Sequence, residues 1–203
     1  MLNKLIWNDV RQNKLLSAAT VFFMAVSAMM LALTALLFSS LLGSINGLME
    51  QAQVPDLLQM HTDELDKSEI SQFARERQNI DQWQICRLLN LDNSEVTLGG
   101  HSLLDSTQDN GLCVQSERFD YLLDMDNNRP DVLPGQVYVP VCYRTRYDLV
   151  IGDTMQIGGE GLTIAGFLRD AQMNSMMVSS RRFLVRQWDY ERLKPLGRGR
   201  ISH

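Results

Sequence analysis

The sequence lacks the short motifs by which many enzymes hold phosphates or activate a nucleophile. It contains no Gly-x-x-x-x-Gly-Lys-Ser/Thr loop, so the chain does not bind and hydrolyse ATP by that device. It also lacks the Gly-x-Ser-x-Gly elbow of serine hydrolases, and no nucleophile, base and acid can be combined into a catalytic set. We therefore predict neither an enzymatic activity nor a cofactor.

Clusters with the spacing of metal ligands are also missing. His61, Asp63 and Glu64 lie within four residues of one another, but no second group of ligands accompanies them. Residues 124–128 contain two Asp and two Asn, yet the spaced ligands and final Glu of a calcium loop are absent. We interpret both segments as solvated loops and predict no metal site.

Cysteine is scarce. Cys86, Cys113 and Cys142 are the three in the chain, and no two of them form a Cys-x-x-Cys pair. On the oxidising side of a membrane, an odd number allows one disulfide with a free thiol, or three reduced thiols in the core. Sequence spacing does not choose between these states, although buried thiols are the simpler interpretation.

The most informative absence is that of charge. Residues 15–49 contain no Asp, Glu, Lys or Arg, and residues 15–42 are almost wholly apolar. About 20 apolar helical residues cross a bilayer core roughly 30 Å thick. The run therefore predicts a transmembrane helix over 15–49 that extends past the lipid surface at its carboxyl end. A cleaved signal sequence is the alternative, but its apolar core would be only about 7–15 residues long.

Charges on either side of this run predict its orientation. Residues 1–14 carry three basic side chains against one Asp, whereas every charged residue from Glu50 to Asp66 is acidic. An excess of Lys and Arg stays in the cytoplasm, so we predict a cytoplasmic amino terminus and an extracytoplasmic remainder. The chain has a formal charge of −5, and its first fourteen residues carry about +2. The acidic remainder disfavours nucleic acid as a partner.

Small side chains follow one face of the predicted transmembrane helix at a period of 3.6 residues. This small-residue stripe consists of Ala25, Ala28, Ala32, Ala35, Ser39 and Gly43. Small residues let helix backbones approach closely within a membrane, so we predict that the stripe packs on another helix. The sequence contains no second apolar run of spanning length, so we expect that helix to come from another chain or from residues beyond this sequence.

The remainder of the chain mixes strand and helix patterns, and its predicted fold class is α+β. Strands are predicted at residues 56–61, 83–91, 95–98, 136–140, 154–157 and 162–168. Residues 176–180 and 182–185 supply one or two last apolar stretches. Helical segments are predicted at 66–77, with Ser68 as its cap, and at 143–149. Glycines at 158 and 159 predict a β-hairpin turn, and the polar residues 105–111 predict a loop.

Two short motifs follow in a characteristic order after the inward-anchored helix. Ile151-Gly152-Asp153 is a hydrophobic–Gly–Asp turn, and a strand pair then ends in Ile164-Ala165-Gly166-Phe167. In these features residues 1–190 resemble FtsX-like/MacB-type ABC transporter permeases. The resemblance implies a MacB-like periplasmic core domain over residues 50–190, in which Gly152, Asp153 and Gly166 are the family-like turn residues.

The resemblance also implies a function. Such a permease would couple ATP hydrolysis on a separate cytoplasmic ATPase subunit to export or mechanical transmission across a bacterial cell membrane. Its partners would be the lipid bilayer, further permease helices or a second permease chain, and that ATPase. Permeases of this kind have at least three more membrane helices, whereas residues 191–203 contain no apolar run. We therefore expect a truncated permease with a non-native tail; the alternative is a single-span anchored module that binds a ligand outside the cell.

Overall fold

A computed structural model describes residues 13–61, 65–173, 180–197 and 201–202. The chain divides into two compact units, Met1–Gly47 and Leu48–His203. The described part of the first unit is helical, and its helix, α1 (Lys14–Ala52), continues into the second unit. At 1.5 Å per residue, its 39 residues extend about 58 Å.

Helix α1 confirms the helix predicted over 15–49 and ends three residues later. It is long and apolar enough to cross a membrane, and it is the one such helix among the described residues. Its hydroxyl groups use the helix backbone as acceptor: Thr20 donates to the Leu16 carbonyl and Thr34 to the Met30 carbonyl, at 2.9 and 2.8 Å. This bonding suits a lipid environment, because hydrocarbon offers a hydroxyl group no partner.

The second unit contains one mixed sheet, in the part of the chain that the structure describes. Its strands are β1 (Leu88–Asn90), β2 (Val96–Leu98), β3 (His101–Ser102), β4 (Asp109–Cys113), β5 (Gln136–Pro140), β6 (Thr154–Ile157), β7 (Glu160–Leu168), β8 (Ser180–Val185) and β9 (Ile201–Ser202). Their order is β3-β2-β6-β7-β5-β8-β4-β1-β9. The pairs β5/β7 and β4/β8 are parallel, and the other neighbours are antiparallel.

Short helices connect or follow these strands. They are α2 (Lys67–Arg75), α3 (Val141–Tyr147) and α4 (Gln187–Leu193), together with 3₁₀ turns at Asn93–Glu95 and Lys194–Leu196. Strands and helices thus occur together, which confirms the α+β class. The MacB-like identity of the domain stays a prediction.

Several predicted elements are confirmed, and the reasons lie in local chemistry. Strand β5 has the predicted bounds and ends at Pro140, which has no N–H to donate to a ladder. The hairpin of β6 and β7 turns at Gly158 and Gly159, whose φ values of 54° and 91° favour glycine. Strand β8 is buried along its whole length because β5 and β4 flank it.

Other predictions were wrong. Residues 56–61 form no strand, and only Leu88–Asn90 of the predicted strand 83–91 is in the ladder. The predicted loop 105–111 contains the start of β4, whose Asn110 is buried. Helix α2 is capped by Asp66 rather than Ser68, because the Asp66 carboxylate accepts the Ser68 N–H at 2.7 Å.

Residues assigned to the tail take part in the folded unit. Helix α4 runs to Leu193, and β9 pairs with β1 through Leu89 and Ile201. Gly197 lies against the sheet so closely that a Cβ there would be 2.3 Å from Leu89 Cδ1. An edge strand uses backbone hydrogen bonds, so the two residues of β9 join the sheet without belonging to an apolar run.

An aromatic stack crosses the main core. Phe183 and Tyr143 have ring centroids 5.7 Å apart, Tyr143 and Tyr147 follow at 5.8 Å, and Tyr147 and His101 at 5.5 Å. The Tyr143 hydroxyl donates to Asn110 Oδ1 at 2.7 Å, and this contact joins α3 to β4. Burying a polar strand residue such as Asn110 is tolerated because its hydrogen bonds are made.

Replacing Tyr143 by phenylalanine is expected to destabilise the folded unit by about 1–3 kcal/mol, since it leaves the buried Asn110 carbonyl without its donor. Urea denaturation of the full chain in detergent, followed by tryptophan fluorescence, measures the change. Tyr147→Phe is the matched control, because it keeps the stacked ring and removes a hydroxyl from a side chain that is only half-buried. Equal losses in the two variants would contradict the assignment.

Candidate functional site

The predicted turn motif forms a compact junction between α3 and the hairpin. Gly152 has a φ of 102°, and its N–H donates to the Ile164 carbonyl at 2.9 Å. The Ile164 N–H donates in return to the Asp153 carbonyl at 2.7 Å. The Asp153 carboxylate accepts the Val150 N–H at 2.9 Å and so closes the turn. Gly152 and Asp153 therefore stabilise the backbone, and their chemistry at this turn is structural.

Gly166 lies in β7 at a point of close approach. A Cβ at this position would lie 2.5 Å from Cε1 of Tyr138, on the neighbouring strand β5. The register of the two strands shifts between Val137 and Tyr138, next to this contact. The glycine of the family-like motif thus makes room for an aromatic ring, a packing role that the sequence pattern alone did not reveal.

All six residues of the small-residue stripe lie on α1, as predicted. Their side chains are exposed, and a Cβ at Gly43 would meet no atom of the described chain within 4 Å. Within the part of the chain that the structure describes, nothing covers the stripe. A helix from elsewhere could therefore pack on it. That it does so stays a prediction.

The two acidic segments near residues 61–64 and 124–128 were the candidates for metal ligands. Across residues 13–61, 65–173, 180–197 and 201–202, no three His, Cys, Asp or Glu side chains come together as metal ligands. In the Asp/Asn cluster, Arg169 Nη2 donates to the Met125 carbonyl at 3.0 Å and to Asn127 Oδ1, so a guanidinium occupies the loop. His61 is half-buried, and Asp63 and Glu64 lie outside the described residues.

A buried ion network was missed by the sequence analysis. Arg182, in the middle of β8, donates from Nε to Asp170 Oδ2 at 2.6 Å and from Nη2 to Asp170 Oδ1 at 2.7 Å. Its two terminal nitrogens also bind both carboxylate oxygens of Asp120, with Nη2 3.1 Å from Oδ1. The three residues are 6%, 4% and 3% exposed, respectively. We call this set the Arg182 network.

The opposite charges in the Arg182 network stabilise one another, with one guanidinium between two carboxylates. Burial by itself raises the pKa of Asp170, but the charge and hydrogen bonds of Arg182 outweigh it and hold that pKa below its usual value. The Asp170 carboxylate also accepts the N–H groups of Gln172 and Met173. Burial lowers the pKa of Arg182, and the two carboxylates more than reverse this and raise it. Both groups are therefore ionised at neutral pH.

The Arg182 network forms part of the wall of a small cavity. The cavity volume is about 50 Å³, and its lining includes four sulfur-bearing side chains: Met60, Cys86, Cys113 and Met173. This volume suits one or a few water molecules, whereas ligand pockets for drug-sized molecules are about 300–1,000 Å³. In this conformation the cavity does not admit a large substrate.

The same network is connected to the end of α1. The Asp120 N–H donates to the Gln53 carbonyl at 2.9 Å, and the Tyr121 N–H donates to the Ala52 carbonyl at 2.8 Å. Ala52 is fully buried and packs with Tyr121 and Leu123. Asp120 therefore contacts the end of α1 through its backbone and the central strand β8 through its carboxylate. No protein-family model, curated protein or solved structure matches this chain.

Proposed function

We propose that this chain is the permease subunit, or an N-terminal part of the permease, of an FtsX-like/MacB-type ABC transporter. In this function it lies in a bacterial cell membrane and couples ATP hydrolysis on a separate cytoplasmic ATPase to export or mechanical transmission. The domain over residues 50–190 is the MacB-like periplasmic core. The lipid bilayer covers most of α1, and the small-residue stripe packs on further permease helices or a second permease chain.

The observation that carries the proposal is the connection between the last turn of α1 and the sheet. Mechanical transmission requires that the spanning helix ends in a rigid contact rather than in a flexible linker. Here Ala52 is buried, Gln53 accepts a hydrogen bond from Asp120, and the Asp120 carboxylate binds Arg182 in the central strand. Helix end, loop and strand thus form a continuous chain of contacts, which supports transmission of movement to the folded domain.

The small-residue stripe provides the test. The full chain is purified from its native membranes in mild detergent, and ATPase activity in the purified material is measured. Ala32→Leu is expected to reduce that activity about tenfold, because a larger side chain on the stripe keeps the partner helix away. Ala19→Leu is the matched control, since Ala19 lies on the opposite face of α1 and its change should leave the activity in place.

Loss of ATPase activity in both variants, or in neither, would contradict the role of the stripe. If no ATPase activity co-purifies with the unmodified chain, the permease assignment is overturned. In that case the alternative applies, a single-span anchored module without transport activity, and its folded domain would be tested for a ligand of its own.

A further inference from the structure

The cavity beside the Arg182 network contains two of the three cysteines in its lining. Cys113 is at the end of β4 and is buried, and Cys86 precedes β1 and is half-buried. Cys142, by contrast, is exposed at the start of α3 and is absent from the cavity lining. No disulfide joins any two of them in the structure.

Cys86 and Cys113 lie near the pairing of β1 and β4. The two strands are antiparallel, with Leu89 opposite Leu112 and Asn90 opposite Gly111. Cys113 is the last residue of β4 and belongs to the same apolar cluster as Leu88, the first residue of β1. Cys86 precedes Leu88 by two residues.

Both thiols line the same small cavity. Its volume of about 50 Å³ is that of one or a few water molecules, so the groups that face it lie close together. Disulfides have Cβ–Cβ separations of about 3.5–4.5 Å. A bond between Cys86 and Cys113 would cross this cavity.

Neither thiol is held firmly in its present position. Cys86 Sγ is 3.3 Å from the Ser116 hydroxyl oxygen, and Cys113 Sγ donates weakly to the Phe183 carbonyl at 3.6 Å. Both contacts are of the weak kind that thiols make, so side-chain rotation toward the cavity gives up little. The cavity supplies the space for that rotation.

We propose that Cys86 and Cys113 form a disulfide in the mature protein, while Cys142 stays a free thiol. The reaction joins the two Sγ atoms and removes two protons and two electrons from the thiols. A disulfide oxidant of the extracytoplasmic compartment accepts them and is reduced to two thiols. The inference rests on the proposed extracytoplasmic location of the domain.

The bond forms while the chain folds. Once folded, burial raises the pKa of Cys86, and it raises the pKa of Cys113 to about 12, so thiolate is rare at either site. The unfolded chain exposes both thiols to the oxidant, and the folded domain then shields the disulfide from reducing thiols. The crosslink connects the segment before β1 to β4, and it closes the cavity next to the Arg182 network.

Thiol mapping of the full chain tests the proposal. The protein is isolated from native membranes after acid quenching, free thiols are blocked with N-ethylmaleimide in denaturant, and the remaining cysteines are reduced and labelled with a heavier maleimide. Mass spectrometry of the peptides is expected to show the heavy label on Cys86 and Cys113 and the light label on Cys142. Without reduction, one crosslinked peptide pair should contain Cys86 and Cys113.

Matched variants sharpen the result. Cys142→Ser is expected to keep the crosslink, and Cys86→Ser should leave Cys113 with the light label. Light label on all three cysteines of the unmodified chain, or a crosslink that includes Cys142, would overturn the proposal. A separate experiment distinguishes a wrong disulfide from a wrong location of the folded domain. Labelling of Cys142 from outside in sealed vesicles reports the topology, whether or not Cys86 and Cys113 are joined.

Discussion

Replacing Arg182 by methionine is expected to destabilise the folded domain by about 3–5 kcal/mol. The substitution keeps an unbranched apolar stem but leaves Asp120 and Asp170 as two buried carboxylates without their cation. Domains are typically stable by only about 5–15 kcal/mol, so the loss is a large fraction of the total free energy of unfolding. Urea denaturation of the full chain in detergent, read from tryptophan fluorescence, measures the loss.

An exposed ion pair is the matched control. Glu160 binds Arg192 with its side chain half exposed, so Glu160→Gln should cost less than about 1 kcal/mol. A triple variant that combines Arg182→Met with Asp120→Asn and Asp170→Asn should recover part of the loss, because it removes the uncompensated charges. If Arg182→Met costs no more than Glu160→Gln, the Arg182 network does not stabilise the domain as we describe.

Cys142 is expected to react completely with a membrane-impermeant maleimide in right-side-out vesicles and not at all in inverted ones. The basic amino-terminal flank of α1 predicts that the folded domain lies outside, and Cys142 is its exposed thiol. Burial shields Cys113 and partly shields Cys86, which keeps background labelling low. Mass spectrometry after a short reaction on ice measures the labelled fraction.

A second thiol on the other side of α1 controls for vesicle orientation. Asn13 is exposed just before the helix, so Asn13→Cys in a Cys142→Ser background should give the opposite pattern of labelling. Labelling of Cys142 in inverted vesicles alone would reverse the topology and, with it, the permease proposal. Equal labelling of both thiols in sealed vesicles would mean that α1 does not separate them by a membrane.

The parts of the fold that the sequence predicted are those decided by local chemistry. An uncharged apolar run as long as residues 15–42 favours one long helix of spanning length, so α1 was predictable. The hairpin followed from glycines at positions that require positive φ. The turn at Gly152 and Asp153 was predictable for the same reason. The close contact of Gly166 with the Tyr138 ring was not, because Tyr138 lies on another strand.

The parts that were missed depend on partners far along the chain. Strand β4 begins with Asp109, Asn110 and Gly111, which are typical of a loop, and it is stable because Tyr143 satisfies the buried amide. The Arg182 network joins residues 62 and 12 positions apart, so no single window of sequence contains it. The sequence signal was the pair Arg181 and Arg182 directly before the apolar residues 183–185, because a charged residue inside a buried strand requires compensation.

Asp120 has a φ of 56°, a left-handed conformation that few residue types other than glycine, asparagine and aspartate adopt readily. Residue 120 must therefore satisfy two requirements. The first is a backbone with positive φ, and the second is a carboxylate that binds Arg182. Glycine and asparagine satisfy the first requirement without the negative charge, and glutamate carries the charge on a longer, less suitable stem. Natural variation at residue 120 should consequently be almost nil, while exposed positions nearby vary freely.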